Sequence, residues 1–298
     1  MPKDPLVTVV IAAYNCSKWI EKTVSDVLGQ TYSNLELLVV DDGSTDQTEA
    51  TVKNIKDPRL SYFKLDQGSG SPAKPRNVGL NKSKGEFITF LDHDDRWYPD
   101  RMAKVLKVFG EKPEIDLVCH DEVVVCAGKT LKRNKYGPFS EQMYLDMMLS
   151  GNRVSTSAAT VRTETARKVG GFNEERSYFL VEDFDFWMKL AKSGSRFYYL
   201  HEVLGEYTIH SENWTRNIDY NYRQNLQYIH KQIELYPETL DSYRDRILGH
   251  FEYSFARNYQ QLGMRKEALA AYLRALRFHY VTPQLIAGWM LAGLGIKC

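Results

Sequence analysis

Four short apolar runs constrain this chain most: VTVVIAAY (7–14), LELLVVDD (35–42), RLSYFKL (59–65) and EFITFL (86–91). Each stops at a polar turn, and the amphipathic segments SKWIEKTVSDVLGQ (17–30) and TDQTEATVKNI (45–55) separate the first three. Runs this short and this apolar suit strands buried on both faces, and helices between them supply the cover. The expectation is an α/β fold with a Rossmann-like, mostly parallel sheet. In such sheets ligands gather beyond the carboxyl ends of the strands. Tyr14, Asn15, Asp41 and Asp42 follow their strands immediately, so they are the first candidates.

Further on, the Gly/Ser/Pro stretch QGSGSPAKP (67–75) leads into a short helix-like PRNVGLNKS, and residues 99–112 read as a helix with Met102, Val105, Leu106 and Phe109 on one face. Strand-like DLVCHDEVVVC (116–126) and VSTSAATV (154–161) precede the amphipathic VEDFDFWMKLAKSG (181–194). From about Trp214 the pattern is helical only, and YSFARNYQQLGMRKEALAAYLRALRFH has the small-residue spacing of a helical hairpin. A helical C-terminal extension over 215–298 is therefore expected.

Charge narrows the function classes. Lys+Arg 39 against Asp+Glu 38 leaves +1, no bulk field to recruit nucleic acid, so any charged ligand must be held locally. The cysteines Cys16, Cys119, Cys126 and Cys298 form no C-x-x-C pair. The N-terminus, MPKDPLVTVVIAAYN, does not read as a signal peptide, and a cytoplasmic location is the expectation. The apolar run LIAGWMLAGLGI (285–296) falls short of the roughly 20 residues a span needs. It is expected to touch a membrane peripherally, through Trp289, Met290 and Leu291.

The acidic stretch FITFLDHDDRW (87–97) carries the most chemistry. Residues two apart in an extended chain lie roughly 6.6 Å apart on one face, too far for Asp92 and Asp94 to grip one small cation without a bend. Asp94, where the chain should turn, is the better ligand for a hard divalent ion, and Asp92 is better placed for a ligand hydroxyl. The structural alternative is an acidic turn in which Asp95 caps the next helix.

In order, VTVVIAAYN, LELLVVDDGSTDQT, PRNVGL, FITFLDHDD and EDFDFW resemble glycosyltransferase family 2 over residues 6 to about 214. The resemblance implies a GT-A fold and inverting transfer of one sugar from a nucleotide-diphosphate-sugar donor, UDP- or dTDP-linked. The acceptor would be a hydroxyl of a glycan or lipid-linked molecule, in bacterial cell-surface polysaccharide synthesis. It implies a donor-binding half over 1–100 and an acceptor-binding half over 101–214. Tyr14 would stack on the base with the Ala12 backbone and Asn15 beside it, and Asp42 would accept the N3–H of uracil or thymine. Arg76 would lie near base and diphosphate, although Pro75 directly before it departs from the family pattern. Asp92 would meet the ribose, and Asp94 with His210 would hold Mn²⁺ or Mg²⁺. Asp183 would be the base for the acceptor hydroxyl, its pKa lowered at a helix start, with Glu182 as neighbour or acceptor contact. Trp187, one turn on, would line the sugar site or pack in the core. Asn213 opens an N-W-T sequon that a cytosolic chain would not use. A nucleotidyltransferase is the alternative, but its G-x-G-T-R loop is missing. A non-catalytic scaffold is a second alternative, against which Asp42, Asp94 and Asp183 argue.

Overall fold

The computed structural model describes residues 4–211, 213 and 217–296. The expected boundary at 214/215 and Cys298 lie outside the described residues. Backbone contacts group the chain into two compact units, 1–141 with 153–213, and 142–152 with 214–298.

In the first unit the elements run β1 (Val7–Ala13), α1 (Ile20–Leu28), β2 (Leu35–Asp41), α2 (Thr48–Asn54), β3 (Leu60–Lys64), α3 (Ala73–Lys82), β4 (Phe87–Asp92), β5 (Arg96–Trp97), α4 (Arg101–Glu111), β6 (Leu117–Cys126) and β7 (Lys129–Asn134). After α5 (Met143–Ser150), which belongs to the second unit, come β8 (Ala159–Arg162), α6 (Thr163–Lys168), α7 (Glu182–Lys192) and β9 (Phe197–Ile209). One sheet has the order β3-β2-β1-β4-β8-β6-β9-β5, with β7 paired to β6. It is parallel through β3-β2-β1-β4, as the alternating runs predict. Beyond β4 it turns mixed: β8 is antiparallel to both β4 and β6, while β6 and β9 run parallel.

Register decides where chemistry can gather. Ala12 pairs with Asp92 and Ala13 with Asp41, so three neighbouring strands end level and deliver their next residues to one edge. β1 is buried along its whole length. Val7, Val9 and Ile11 share a cluster with Ile20, Val24 and Val27 of α1 and with Met102, Val105 and Phe109 of α4. Each such side chain contributes about 1.5–3 kcal/mol by leaving water. On α3, Gly79 permits close approach, because a Cβ there would lie 2.3 Å from Val10 Cγ1. That contact presses α3 onto β1 and sets the height of Arg76, one turn earlier.

The second unit contains α5 and then α8 (Ile218–Leu235), α9 (Pro237–Leu240), α10 (Arg244–Gln261), α11 (Arg265–Arg277) and α12 (Pro283–Gly293). α10 and α11 form the expected hairpin: Ala268, Ala271 and Ala275 are buried on α11 and Phe251, Phe255 and Tyr259 on α10. Alanines spaced three and four apart let the two backbones approach closely. Among the described residues no helix is long and apolar enough to cross a membrane.

Candidate functional site

At the ends of β1 and β2, Tyr14 stands 47% exposed, open to a planar ligand. Asn15 adopts a left-handed φ of 45° and clamps the following turn: its N–H donates to Ser44 Oγ (2.9 Å) and its Oδ1 accepts from Thr45 N (2.8 Å). Its side-chain oxygen is thus engaged by the DGST turn. Asp41 is structural, accepting from Ser44 N (2.7 Å) and from the Tyr62 hydroxyl. The start of α2 is held by Asp46, which accepts from Thr48 N (2.9 Å).

Asp42 is buried, and its carboxylate takes Ser69 N (2.8 Å), Ser69 Oγ (3.0 Å) and Gly70 N (3.1 Å). A carboxylate offers about four acceptor positions, so the Gly/Ser loop leaves roughly one for a base. The Ala12 carbonyl is likewise engaged, by His93 Nδ1 at 3.2 Å. This gives His93 the job of tying the acidic motif to β1.

Arg76 links the end of β4 to the start of α7. Pro75 sits within the first turn of α3, where a missing N–H costs nothing. From there Arg76, buried, donates through Nη2 to Asp92 Oδ1 (2.7 Å) and through Nη1 to Glu182 Oε1 (2.9 Å), with its guanidinium 5.3 Å from the Phe172 ring. Burial alone would push its pKa down, but Asp92 and Glu182 outweigh this and raise it, so the cation is permanent. Asp92 keeps 35% of its side chain exposed, enough to meet a hydroxyl.

Past Asp92 the chain turns sharply, with Asp95 N donating to Asp92 O (3.1 Å). Asp95 is buried and does not cap α4; it accepts from Ser157 Oγ (2.6 Å) and Thr208 N (2.8 Å) and so staples β4 to β9. Burial first, then Asp94 and Glu122, raises its pKa well above the carboxylate range. Asp94 points the other way, its Oδ2 2.7 Å from His210 Nε2. Asn213 organises the pair: Nδ2 donates to Asp94 Oδ2 (3.2 Å) while Oδ1 accepts from His210 N (2.5 Å). Trp19 stacks on His210, with centroids 4.3 Å apart. Sequence reasoning saw Asn213 only as a sequon and missed Trp19, because nothing local links position 19 to position 210.

The Asp94 oxygen and the His210 nitrogen, 2.7 Å apart, form a mixed O/N pair of the kind that would ligate a divalent transition-metal ion in place of their own hydrogen bond. Among the described residues no cluster of three or more His, Cys, Asp or Glu closes around such a point. With two protein donors, the other positions of a bound divalent ion would fall to water or to a ligand's oxygens.

Two further acids, Glu182 and Asp183, open α7. Asp183 is half-buried; Phe184 N donates to its Oδ1 (2.7 Å) and Thr156 Oγ1 lies 3.5 Å from its Oδ2. The lowered pKa expected at a helix start is not found. Burial dominates and raises it, against the pull of Arg76 and the Phe184 N–H. Glu182 is buried and pushed up to about 7 by desolvation, partly offset by Arg76, with Asp183 adding to the rise. One of its oxygens holds Arg76 and the other has no hydrogen-bond partner. Trp187 is fully buried beside Phe186, centroids 4.9 Å apart, and so offers no surface to a sugar. The helical stripe that begins at the site with Asp183 runs into the core by the next turn.

Glu122 on β6 is a further buried acid that sequence reasoning left out; Tyr136 Oη donates to its Oε2 (2.8 Å). Burial pushes it up to about 7, while Tyr136 and Ser155 draw it back. The run HDEVVV marked it only as a polar residue in a strand.

The model of glycosyl transferase family 2 matches residues 8–208. A protein named for teichuronic acid biosynthesis, TuaG of Bacillus subtilis, is 27% identical over 232 residues, covering 77% of this chain and 89% of its own. An uncharacterized glycosyltransferase of Rickettsia typhi is 28% identical across 71% of this chain; the chain spans 66% of that relative's length. The Escherichia coli UDP-Glc:alpha-D-GlcNAc-diphosphoundecaprenol beta-1,3-glucosyltransferase WfaP is 43% identical over 98 residues, 33% of this chain and 39% of its own. In fold, the chain matches S. aureus TarS 1–349, with a TM-score of 0.66 at 23% identity over 97% of this chain and 87% of that one. The same TarS segment is also known in complex with UDP-GlcNAc. The mannosyltransferase PcManGT of Pyrobaculum calidifontis, in complex with GDP-Man and Mn²⁺, matches at a TM-score of 0.64 and 18% identity, over 98% of this chain and 81% of that one.

Proposed function

The chain belongs to glycosyl transferase family 2, and from that premise we propose that it moves one sugar, with inversion, from a UDP- or dTDP-sugar to a hydroxyl of a glycan or lipid-linked acceptor. The reaction belongs to cell-surface polysaccharide synthesis on the cytoplasmic side. The observation that carries the reading is Arg76 pairing with both Asp92 and Glu182, which supports a reading in which the acid at the end of β4 and the acids at the start of α7 serve one site.

Tyr14 stacks on the base and the remaining acceptor position of Asp42 takes an imide N–H, which uracil and thymine offer and cytosine does not. Asp92 meets the ribose, and Arg76 lies beside the diphosphate. Asp94 and His210 would hold Mn²⁺ or Mg²⁺, which would supply positive charge toward the departing diphosphate. Asp183 takes the proton of the acceptor hydroxyl as its oxygen bonds to the anomeric carbon; the bond to the diphosphate oxygen breaks, and the electron pair leaves with the nucleotide. The raised pKa of Asp183 suits a base better than the depressed value expected from a helix end. Relatives support donor and acceptor class: WfaP is named for UDP-Glc and a diphosphoundecaprenol acceptor, and TuaG for teichuronic acid.

A thermal-shift panel of UDP, dTDP, CDP and GDP with Mn²⁺, followed by donor turnover with Asp183→Asn, tests this. UDP or dTDP should stabilise most, and the variant should keep nucleotide binding while losing about 10²–10⁴ in rate. Strongest stabilisation by GDP, or near-normal turnover by the variant, overturns it.

A further inference from the structure

α12 is a docked helix whose outer face carries no charge and, Gln284 apart, is apolar. Leu285, Gly288 and Ala292 are buried on it, whereas Ile286, Trp289 (40% exposed) and Met290 (56%) face solvent, followed by Leu294 (74%) and Ile296. Val281, just before the helix, is exposed as well. From residue 280 to 296 the sequence has no Asp, Glu, Lys, Arg or His.

The helix is held firmly. Thr282 caps it, accepting from Leu285 N (3.1 Å), and Gln260 Nε2 donates to Ile296 O (2.8 Å). Gly288 lets it lie flush on α11, since a Cβ there would sit 2.3 Å from the Tyr272 hydroxyl. The apolar side chains are therefore presented by a fixed element, not by a fraying end.

Charge says what they meet. From Met264 onward the sequence carries Arg265, Lys266, Arg277 and Lys297 against the single acid Glu267, in a chain whose total is only +1, while Arg274 is paired with Glu252 at 3.0 Å. Arg265 donates to Gly293 O at the far end of α12, and exposed Arg277 ends α11 just before the connection into α12. An apolar face with a tryptophan and a cationic rim is complementary to an anionic bilayer, with its acyl chains beneath and phosphates around. Eleven residues give about 16 Å of helix, too short to span a core of about 30 Å but suited to lying in its surface. We propose that α12 with its basic rim is a monotopic docking surface for an anionic lipid bilayer. This inference stands on the second unit alone and does not depend on the donor or acceptor reading.

Flotation of the full chain with vesicles tests it. Expected is binding to phosphatidylglycerol-containing vesicles, weak binding to pure phosphatidylcholine, and release as salt rises, because headgroup attraction is screened. Trp289→Glu and Met290→Glu replace exposed side chains, so the fold should stand, as circular dichroism will show. Each should cut partitioning more than about tenfold. Arg277→Glu should weaken anionic binding and leave the phosphatidylcholine background unchanged. The proposal is overturned if the protein ignores anionic vesicles, or if Trp289→Glu binds them as the parent does. It is also overturned if sedimentation shows a dimer that Trp289→Glu dissociates while vesicles remain unbound, since the face would then be a self-interface.

Discussion

Replacing Glu122 by glutamine should stabilise this protein at alkaline pH and do almost nothing at acid pH. Glu122 is fully buried, and its pKa rises from an ordinary 4.5 to about 7, chiefly through burial. An acid whose folded pKa exceeds its unfolded one binds more protons in the native state across the window between the two values. Stability attributable to the group therefore falls as pH climbs from 4.5 to about 7 and is level above that. At about 1.4 kcal/mol per tenfold change in proton affinity, the full effect is about 3 kcal/mol. Glutamine keeps an oxygen to accept from the Tyr136 hydroxyl, so the 2.8 Å hydrogen bond survives while the ionisation penalty disappears. The assay is urea unfolding of parent and variant at pH 4 and pH 8. The free-energy difference should be near zero at pH 4 and favour the variant by about 3 kcal/mol at pH 8. A gap that is the same at both values, or a variant less stable at pH 8, refutes the argument that Glu122 is a buried acid forced to ionise.

Other perturbations probe the remaining joints. Arg76→Lys offers a point charge in place of a fork, so it should not hold both Asp92 and Glu182; a loss of about 3–5 kcal/mol in unfolding free energy is expected, and no change would remove Arg76 as the bridge. Gly79→Ala sets a methyl 2.3 Å from Val10 Cγ1 and should cost about 1–3 kcal/mol by denaturant midpoint, with weaker nucleotide binding as α3 shifts. Asp94→Asn should abolish the Mn²⁺-dependent part of nucleotide binding in calorimetry and leave metal-free binding in place. Because Trp19 stacks on His210, Mn²⁺ should quench Trp19 fluorescence in the parent but not in Asp94→Asn.

The sheet edge was readable in the sequence because strand ends are local events. An apolar run that stops at a polar residue marks where the chain leaves the sheet, so Tyr14, Asp42, Asp92 and Asp94 could be placed without a partner in view. The same applies to the helical character after residue 217 and to the apolar α12. What could not be read depends on contacts between distant segments. Arg76 reaches Glu182 across 106 positions, and Asn213 reaches Asp94 across 119. Trp187 was placed by helical phase alone, but phase does not say how deep a turn lies, and the core claimed it. The pKa of Asp183 was reasoned from the helix end, yet burial outweighed the dipole. Periodicity and turn chemistry act over a few residues and are written along the chain. Desolvation and side-chain pairing act across the folded interior, so only the tertiary structure could decide which acids are charged, which are stapled and which face a ligand.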